Sequence, residues 1–173
     1  IGIQGDSFNI TMFNNTFNLS GGIFGISYES SFGGNITRNN FTSNSSGAAI
    51  SLANFATDTT YITLNTITAT GTGANAGGMY ILGKVIIDSN NITVSGSSGY
   101  GILYSDASID STFKNNNIVV NHWNASGFSR SFLAFGAYPT GNTYLNNNIT
   151  VLAGKSIDDI TNATDVTTLV YNN

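Results

Sequence analysis

Six stretches of the chain superimpose on one asparagine: MFNNTFNL, ITRNNFTS, ITLNTITA, IDSNNITV, FKNNNIVV and YLNNNITV. The shared residues are Asn15, Asn39, Asn65, Asn90, Asn116 and Asn147, and Asn173 in the terminal LVYNN fits a seventh place. Successive spacings are 24, 26, 25, 26, 31 and 26 residues. Two further columns move with the asparagine. Three residues ahead stand Met12, Ile36, Ile62, Ile87, Phe113, Tyr144 and Val170. Two residues behind stand Phe17, Phe41, Ile67, Ile92, Ile118 and Ile149. Both columns are wholly apolar. A second strand-like run follows in each repeat, often after glycine: GISY, AAISL, GGMYIL, YGILY, RSFLAF. The segments between runs vary in length, as loops do.

The runs are short and β-branched, and apolar residues do not recur at helical spacing. A short repeat of strands cannot bury its apolar face alone. It must stack on its neighbours, which is the architecture of a parallel β-solenoid. Each repeat is one coil of about 25 residues, and equivalent residues stack at the ~4.8 Å strand spacing. The expectation is an all-β chain with a single domain over residues 1–173, built of about six to seven coils and on the order of 30 Å tall. A leucine-rich repeat has a similar period but needs a leucine pattern, and this chain uses Ile, Val, Phe and Asn.

Composition narrows the function classes. Charged residues make up 8% of the chain and apolar ones 40%, which excludes the disordered class. Asn, Ser, Thr and Gly must carry solubility. Five Lys and Arg against nine acids leave a net charge of −4, so the basic footprint of a nucleic-acid binder is missing. No run approaches the ~18 apolar residues of a membrane span. The chain has no Cys, which removes disulfides and thiolate metal sites. It opens on Ile1 in the apolar IGIQG and closes on the asparagine column. Neither end shows a capping helix, so the chain is expected to be an excerpt of a longer solenoid or a subunit that stacks on others.

The columns resemble the right-handed parallel β-helix repeats of the pectate-lyase-like superfamily. They are most similar to the Asn- and Thr-rich kind in archaeal and bacterial surface proteins, where NNxIT coils recur. The resemblance covers nearly the whole chain and implies a right-handed parallel β-helix. That superfamily includes lyases, hydrolases, viral tailspikes, adhesins and structural proteins, so function has to be argued from sites.

Strand alternation assigns faces. Ile149 belongs to an apolar column and faces inward, so Asn147 faces inward too, beside a bend. A file of stacked inward amides can bond coil to coil and close backbone groups at the turn. The position before it reads Asn14, Arg38, Leu64, Ser89, Asn115 and Asn146, a mixture that sets no requirement there. The position after it faces outward and reads Thr16, Asn40, Thr66, Asn91, Asn117 and Asn148.

Ten Asn-x-Ser/Thr sequons occur, at Asn9, Asn14, Asn18, Asn35, Asn40, Asn44, Asn91, Asn124, Asn148 and Asn162. Roughly six would arise by chance in a chain this rich in Asn, Ser and Thr. Asn40, Asn91 and Asn148 fall in the outward column on every second coil, which leaves roughly 10 Å between glycans. These are the favoured acceptors.

No catalytic constellation stands out. Asp6 and Glu29 occupy matching places on successive coils, without an accompanying Arg or Lys. Asp106 and Asp110 share a loop that could hold a cation weakly. Asp88 and Lys114 fall in one column on adjacent coils and should form a surface ion pair. His122 is the lone histidine and gives no metal site. Its neighbour Trp123 could stack on a sugar ring. Phe128, Phe132, Phe135 and Tyr138 crowd one coil, either as a lateral packing surface or as the filling of a longer coil's wider core.

The expectation is therefore an extracellular or cell-surface structural or adhesive protein, N-glycosylated and self-associating end to end or laterally. It would need no cofactor, metal or catalytic residue. The alternatives are a carbohydrate-active or carbohydrate-binding β-helix module and a viral tail fibre.

Overall fold

The computed structural model describes residues 3–5, 8–22, 25–29, 32–53, 58–71, 77–96, 99–105, 110–122, 129–135 and 141–151. Each circuit of the chain contributes three strands. Coil 1 holds β1 (Ile3–Gly5), β2 (Phe8–Phe13) and β3 (Thr16–Ser20). Coil 2 holds β4 (Ile26–Glu29), β5 (Phe32–Thr37) and β6 (Asn40–Asn44). Coil 3 holds β7 (Ala48–Ala53), β8 (Thr60–Thr63) and β9 (Thr66–Ala69). Coil 4 holds β10 (Gly77–Leu82), β11 (Val85–Asp88) and β12 (Asn91–Gly96). Coil 5 holds β13 (Gly99–Ser105), β14 (Thr112–Lys114) and β15 (Asn117–His122). Coil 6 holds β16 (Ser129–Phe135), β17 (Thr143–Leu145) and β18 (Asn148–Val151).

The first strands of all coils form one six-stranded sheet, the second strands another and the third strands a third. Every neighbouring pair is parallel, for example β12 on β9 and β15 on β12. The chain is a parallel β-solenoid, and among the described residues its regular structure is all strand.

The register matches the repeat columns. Met12, Ile36, Ile62, Ile87, Phe113 and Tyr144 stack in the second sheet. Phe17, Phe41, Ile67, Ile92, Ile118 and Ile149 stack in the third. Both files point into the tube and form much of its core, with Ile26, Ile50, Met79 and Ile102 from the first sheet. Aromatic rings stack within the files. Phe17 lies on Phe41 with centroids 4.7 Å apart, and Phe113 on Tyr144 at 5.1 Å. Tyr100 also points inward, and its ring lies where a Cβ on Gly77 would sit. Burial, with Tyr80 beside it, pushes the Tyr100 phenol far above its ordinary range.

Two features differ from the sequence reading. The apolar–Asn–apolar segment is not one strand but two, so each coil has three strands rather than two. The break lies at the residue before the asparagine. Asn14, Arg38, Leu64, Ser89, Asn115 and Asn146 all adopt left-handed φ values of 52–58°. The position is thus strictly constrained, contrary to the reading that nothing is required there. Its tolerance for varied side chains hid a demanding backbone. Asn enters this region readily, whereas other L-residues pay roughly 1–2 kcal/mol for it.

The 31-residue spacing between Asn116 and Asn147 leaves these two sheets undisturbed. β14 still pairs with β17 and β15 with β18 in register. The additional residues lie between β15 and β17, away from the asparagine turn.

Leu64 is the least suitable residue in its column, since it combines φ 58° with an exposed apolar side chain. Leu64→Asn should stabilise the protein by about 1 kcal/mol, read as a higher urea midpoint at unchanged m-value.

Candidate functional site

The asparagine turn positions two files of amides on opposite sides of the wall. At the turn, backbone bonding between coils continues on both sides of the ladder residue. Leu64 N–H reaches Asp88 O at 3.1 Å, and Thr66 N–H reaches Asn39 O at 2.9 Å. The ladder residue's own N–H takes a side-chain acceptor instead. Asn65 N–H donates to Asn90 Oδ1 at 2.9 Å, and Asn65 Nδ2–H donates to the same oxygen at 3.0 Å. The other Nδ2 hydrogen runs to Ile36 O at 2.7 Å.

The pattern repeats along the file. Asn15, Asn39, Asn90 and Asn116 each give both N–H and Nδ2–H to the ladder oxygen of the following coil, at 2.9–3.1 Å. Asn39, Asn65, Asn90, Asn116 and Asn147 are buried, while Asn15, on the first coil, is exposed. Asn173 lies outside the described residues.

A shorter file closes the corner between the first and second sheets. Asn142 Oδ1 accepts from Ser111 N–H at 2.8 Å, and Ser111 Oγ accepts from Val85 N–H at 3.0 Å. Asn142 Nδ2 is buried and has no partner among the described residues. The sequence reading missed this file. Its signal was that Ser111 and Asn142 stand at the same place, one residue ahead of the paired Thr112 and Thr143.

Among the described residues the outward side of the third sheet carries amides and hydroxyls, with Val119 as the one apolar side chain, and no charge. Its described outward residues are Thr16, Asn18 and Ser20 on β3, Asn40, Thr42 and Asn44 on β6, and Thr66 and Thr68 on β9, continued by Asn91, Thr93 and Ser95 on β12, Asn117 and Val119 on β15, and Asn148 and Thr150 on β18; none of them is buried. Among the described sequons, Asn9, Asn14, Asn18, Asn35, Asn40, Asn44, Asn91 and Asn148 are all exposed. Their hydroxyl partners, Thr11, Thr16, Ser20, Thr37, Thr42, Ser46, Thr93 and Thr150, are never buried. Alternation is the cause on the strands: a buried middle residue such as Ile92 turns both Asn91 and Thr93 outward. Asn9, inside β2, and Asn14, in the turn after it, instead have left-handed φ values of 52° and 58°. Asn124 and Asn162 lie outside the described residues.

Within the outward column three amides are linked. Asn148 Nδ2–H donates to Asn117 Oδ1 at 2.8 Å, and Asn117 Nδ2–H donates to Asn91 Oδ1 at 2.8 Å. Asn40 faces Thr16 and Thr66 in register and shares no such bond. Sequence columns placed these residues together, but only the side-chain geometry separates them into linked and unlinked.

Beside this face, Lys114 Nζ lies 3.3 Å from Asp88 Oδ2. Asn115 Nδ2–H and Ser89 Oγ–H donate to Asp88 Oδ1 at 2.9 and 2.8 Å. Partial burial pushes the Asp88 carboxyl up. The hydrogen bonds from Asn115, Ser89 and Lys114, with the Lys114 charge, outweigh that and hold it below its ordinary 3.8.

The acidic pair singled out in the sequence falls at the edge of what is described. Gly5 pairs with Tyr28, so the register leads toward Asp6 and Glu29, but Asp6 and the Glu29 side chain lie outside the described residues, as do Asp106 and Trp123. Asp110 is exposed at a corner with φ 51°. The backbone of His122 ends β15. Phe132 and Phe135 lie on β16, whose side chains, like Phe128 and Tyr138, are outside the described residues. No three His, Cys, Asp or Glu among the described residues come together as a metal site.

Comparison with protein-family models, with curated proteins and with solved structures finds no match to this chain.

Two outcomes follow from the bonding. Asn90→Leu orphans the N–H and an Nδ2–H of Asn65 in the wall, and at ~1–3 kcal/mol per buried group it should destabilise by about 3 kcal/mol. Asn15→Leu, at the exposed end, should cost less than about 1 kcal/mol; paired urea titrations compare them. For Asp88 the folded carboxyl titrates below the unfolded one. Its contribution, at most ~1 kcal/mol for a surface pair, is complete above about pH 4 and is lost as pH falls through the folded value. The stability gap between wild type and Asp88→Asn should therefore be present at about pH 7 and narrow by about pH 3.

Proposed function

We propose that the chain is the rod of an exported archaeal or bacterial surface protein, structural or adhesive in role, that carries N-linked glycans and packs into a filament, sheath or surface layer. In this reading the solenoid is of the pectate-lyase-like kind. The observation that carries the proposal is how the asparagines sort. Every described sequon asparagine is exposed, whereas Asn39, Asn65, Asn90, Asn116, Asn142 and Asn147, none of them in a sequon, are buried. The amides free to take a sugar and the amides that hold the wall are different residues.

Coil 1 leaves part of its core and one ladder acceptor uncovered among the described residues. Phe17 and Leu19 point toward the tube but are only half-buried, while Phe41 and Ser43 above them are buried. Asn15 Oδ1 accepts no bond within the described residues. An open strand edge with a free ladder acceptor is a place for a further coil to pair, whether of the same protein or of a second copy, and the second case is the self-association proposed here.

A carbohydrate-binding role is the second reading. It is favoured by Phe13, Tyr61 and Leu64, exposed around the turn where the Arg38 guanidinium lies 5.9 Å from the Phe13 ring centroid.

Electron microscopy of the native material, with glycopeptide mapping, tests the proposal. Regular fibres or a lattice with sugar on the outward column is the expected result. Monodisperse particles with unmodified Asn40, Asn91 and Asn148, which bind a polysaccharide through Tyr61, would overturn it in favour of the second reading.

A further inference from the structure

Asn91 and Asn148 stand in the same five-residue context, Asn-Asn-Ile-Thr-Val, at residues 90–94 and 147–151. Both follow a buried ladder asparagine, both begin a strand of the third sheet, and both are exposed. Any enzyme that reads only the local sequence must treat them alike. The fold does not. Asn91 Oδ1 accepts from Asn117, which leaves both Nδ2 hydrogens of Asn91 free among the described residues. Asn148 Nδ2 instead donates to Asn117 Oδ1. Asn117 is therefore a polar clasp: it holds one neighbour by the oxygen and the other by the nitrogen. It carries no sequon itself, because Val119 stands where a hydroxyl would be needed. Asn40, between Thr16 and Thr66, has its whole carboxamide free among the described residues.

We infer that on the folded chain Asn40 and Asn91 accept a glycan in preference to Asn148, and that Asn117 is the positioning residue that sets this order. The inference rests on the reading that the sequons are used. The transfer joins the Asn nitrogen to the anomeric carbon of a lipid-diphosphate-linked sugar. The C1–N bond forms as the C1–O bond to diphosphate breaks, the diphosphate leaves with the bonding pair, and Nδ2 loses one proton. The nitrogen lone pair is delocalised into the carbonyl, so the amide C–N bond must twist before nitrogen can attack, and at Asn148 that twist swings the bonded Nδ2–H away from Asn117. At Asn91 it breaks nothing, since the retained bond is on the oxygen. After transfer Asn91 still has its Oδ1 to accept from Asn117, so the clasp steadies the linked sugar against the sheet. A single exposed hydrogen bond sets a preference of about fivefold.

The test uses purified unmodified protein, an oligosaccharyltransferase and a polyprenyl-diphosphate-linked oligosaccharide. Initial occupancy at Asn40, Asn91 and Asn148 is read by glycopeptide mass spectrometry, on folded protein and on protein unfolded in urea and diluted into the assay. On the folded chain Asn148 should lag Asn91 about fivefold. In Asn117→Val it should reach the rate of Asn91, and on the unfolded chain the two should be equal in either protein. Equal rates on the folded wild type, or a lag that survives Asn117→Val, would overturn the inference and leave the use of the sequons standing. Modification of the unfolded chain alone would do the same. No modification in any form would remove both the inference and the glycosylation reading beneath it.

Discussion

A carboxamide has one oxygen that accepts twice and one nitrogen that donates twice, and the wall of this solenoid depends on that valence. Where the chain turns from the second sheet into the third, one backbone N–H per coil has no carbonyl opposite it. The ladder asparagine of the next coil supplies the missing acceptor with Oδ1, and the same oxygen also takes a side-chain N–H from the coil before. The second Nδ2 hydrogen closes a carbonyl on the other side, as Asn90 does on Ile62 O at 2.8 Å. Glutamine would carry the same atoms one methylene too far. Serine can accept but cannot return two donors, and at the other corner Ser111 does only part of this work.

Because the turn is sharp and repeated, everything downstream of it is in register. The residue before the asparagine is left-handed, the asparagine points in, the next residue points out and the one after that points in. The core file of Phe41, Ile67, Ile92 and Ile118 and the outward file of Asn40, Thr66, Asn91 and Asn117 are two consequences of one geometry. A one-residue slip would exchange them, exposing the isoleucines and burying amides. The ladder thus specifies which asparagines are structural and which remain on the surface.

This is also why so much of the fold was legible in the sequence. A repeat displays each face several times over, so the inward columns Met12–Tyr144 and Phe17–Ile149 could be read without a partner structure. The backbone state at Leu64 could not be read, because a column of Asn, Arg, Leu, Ser, Asn and Asn has no common chemistry beyond tolerance of φ > 0. The split of each Asn-centred segment into two strands was hidden for the same reason. The file at Ser111 and Asn142 occupies only two coils, too few to appear as a column. The difference between Asn91 and Asn148 lay beyond any sequence reading, since their local sequences are identical and the distinction depends on which atom of Asn117 each one meets.

The two amide files run in opposite directions. Inside, nitrogen donates toward the following coil, from Asn65 to Asn90 and from Asn90 to Asn116. Outside, nitrogen donates toward the preceding coil, from Asn148 to Asn117 and from Asn117 to Asn91. Inside, the direction is forced, because Oδ1 must face the backbone N–H of the coil before it. Outside, no backbone group imposes a direction, and the amides are free to choose the sense that opposes the inner file. Aligned dipoles on adjacent residues would repel, so the antiparallel arrangement lowers the electrostatic energy of the wall. The same choice decides which end of the outer file keeps an unbonded nitrogen and which keeps an unbonded oxygen, and so the chemistry available at the surface is set by a bond pattern whose cause lies inside the tube.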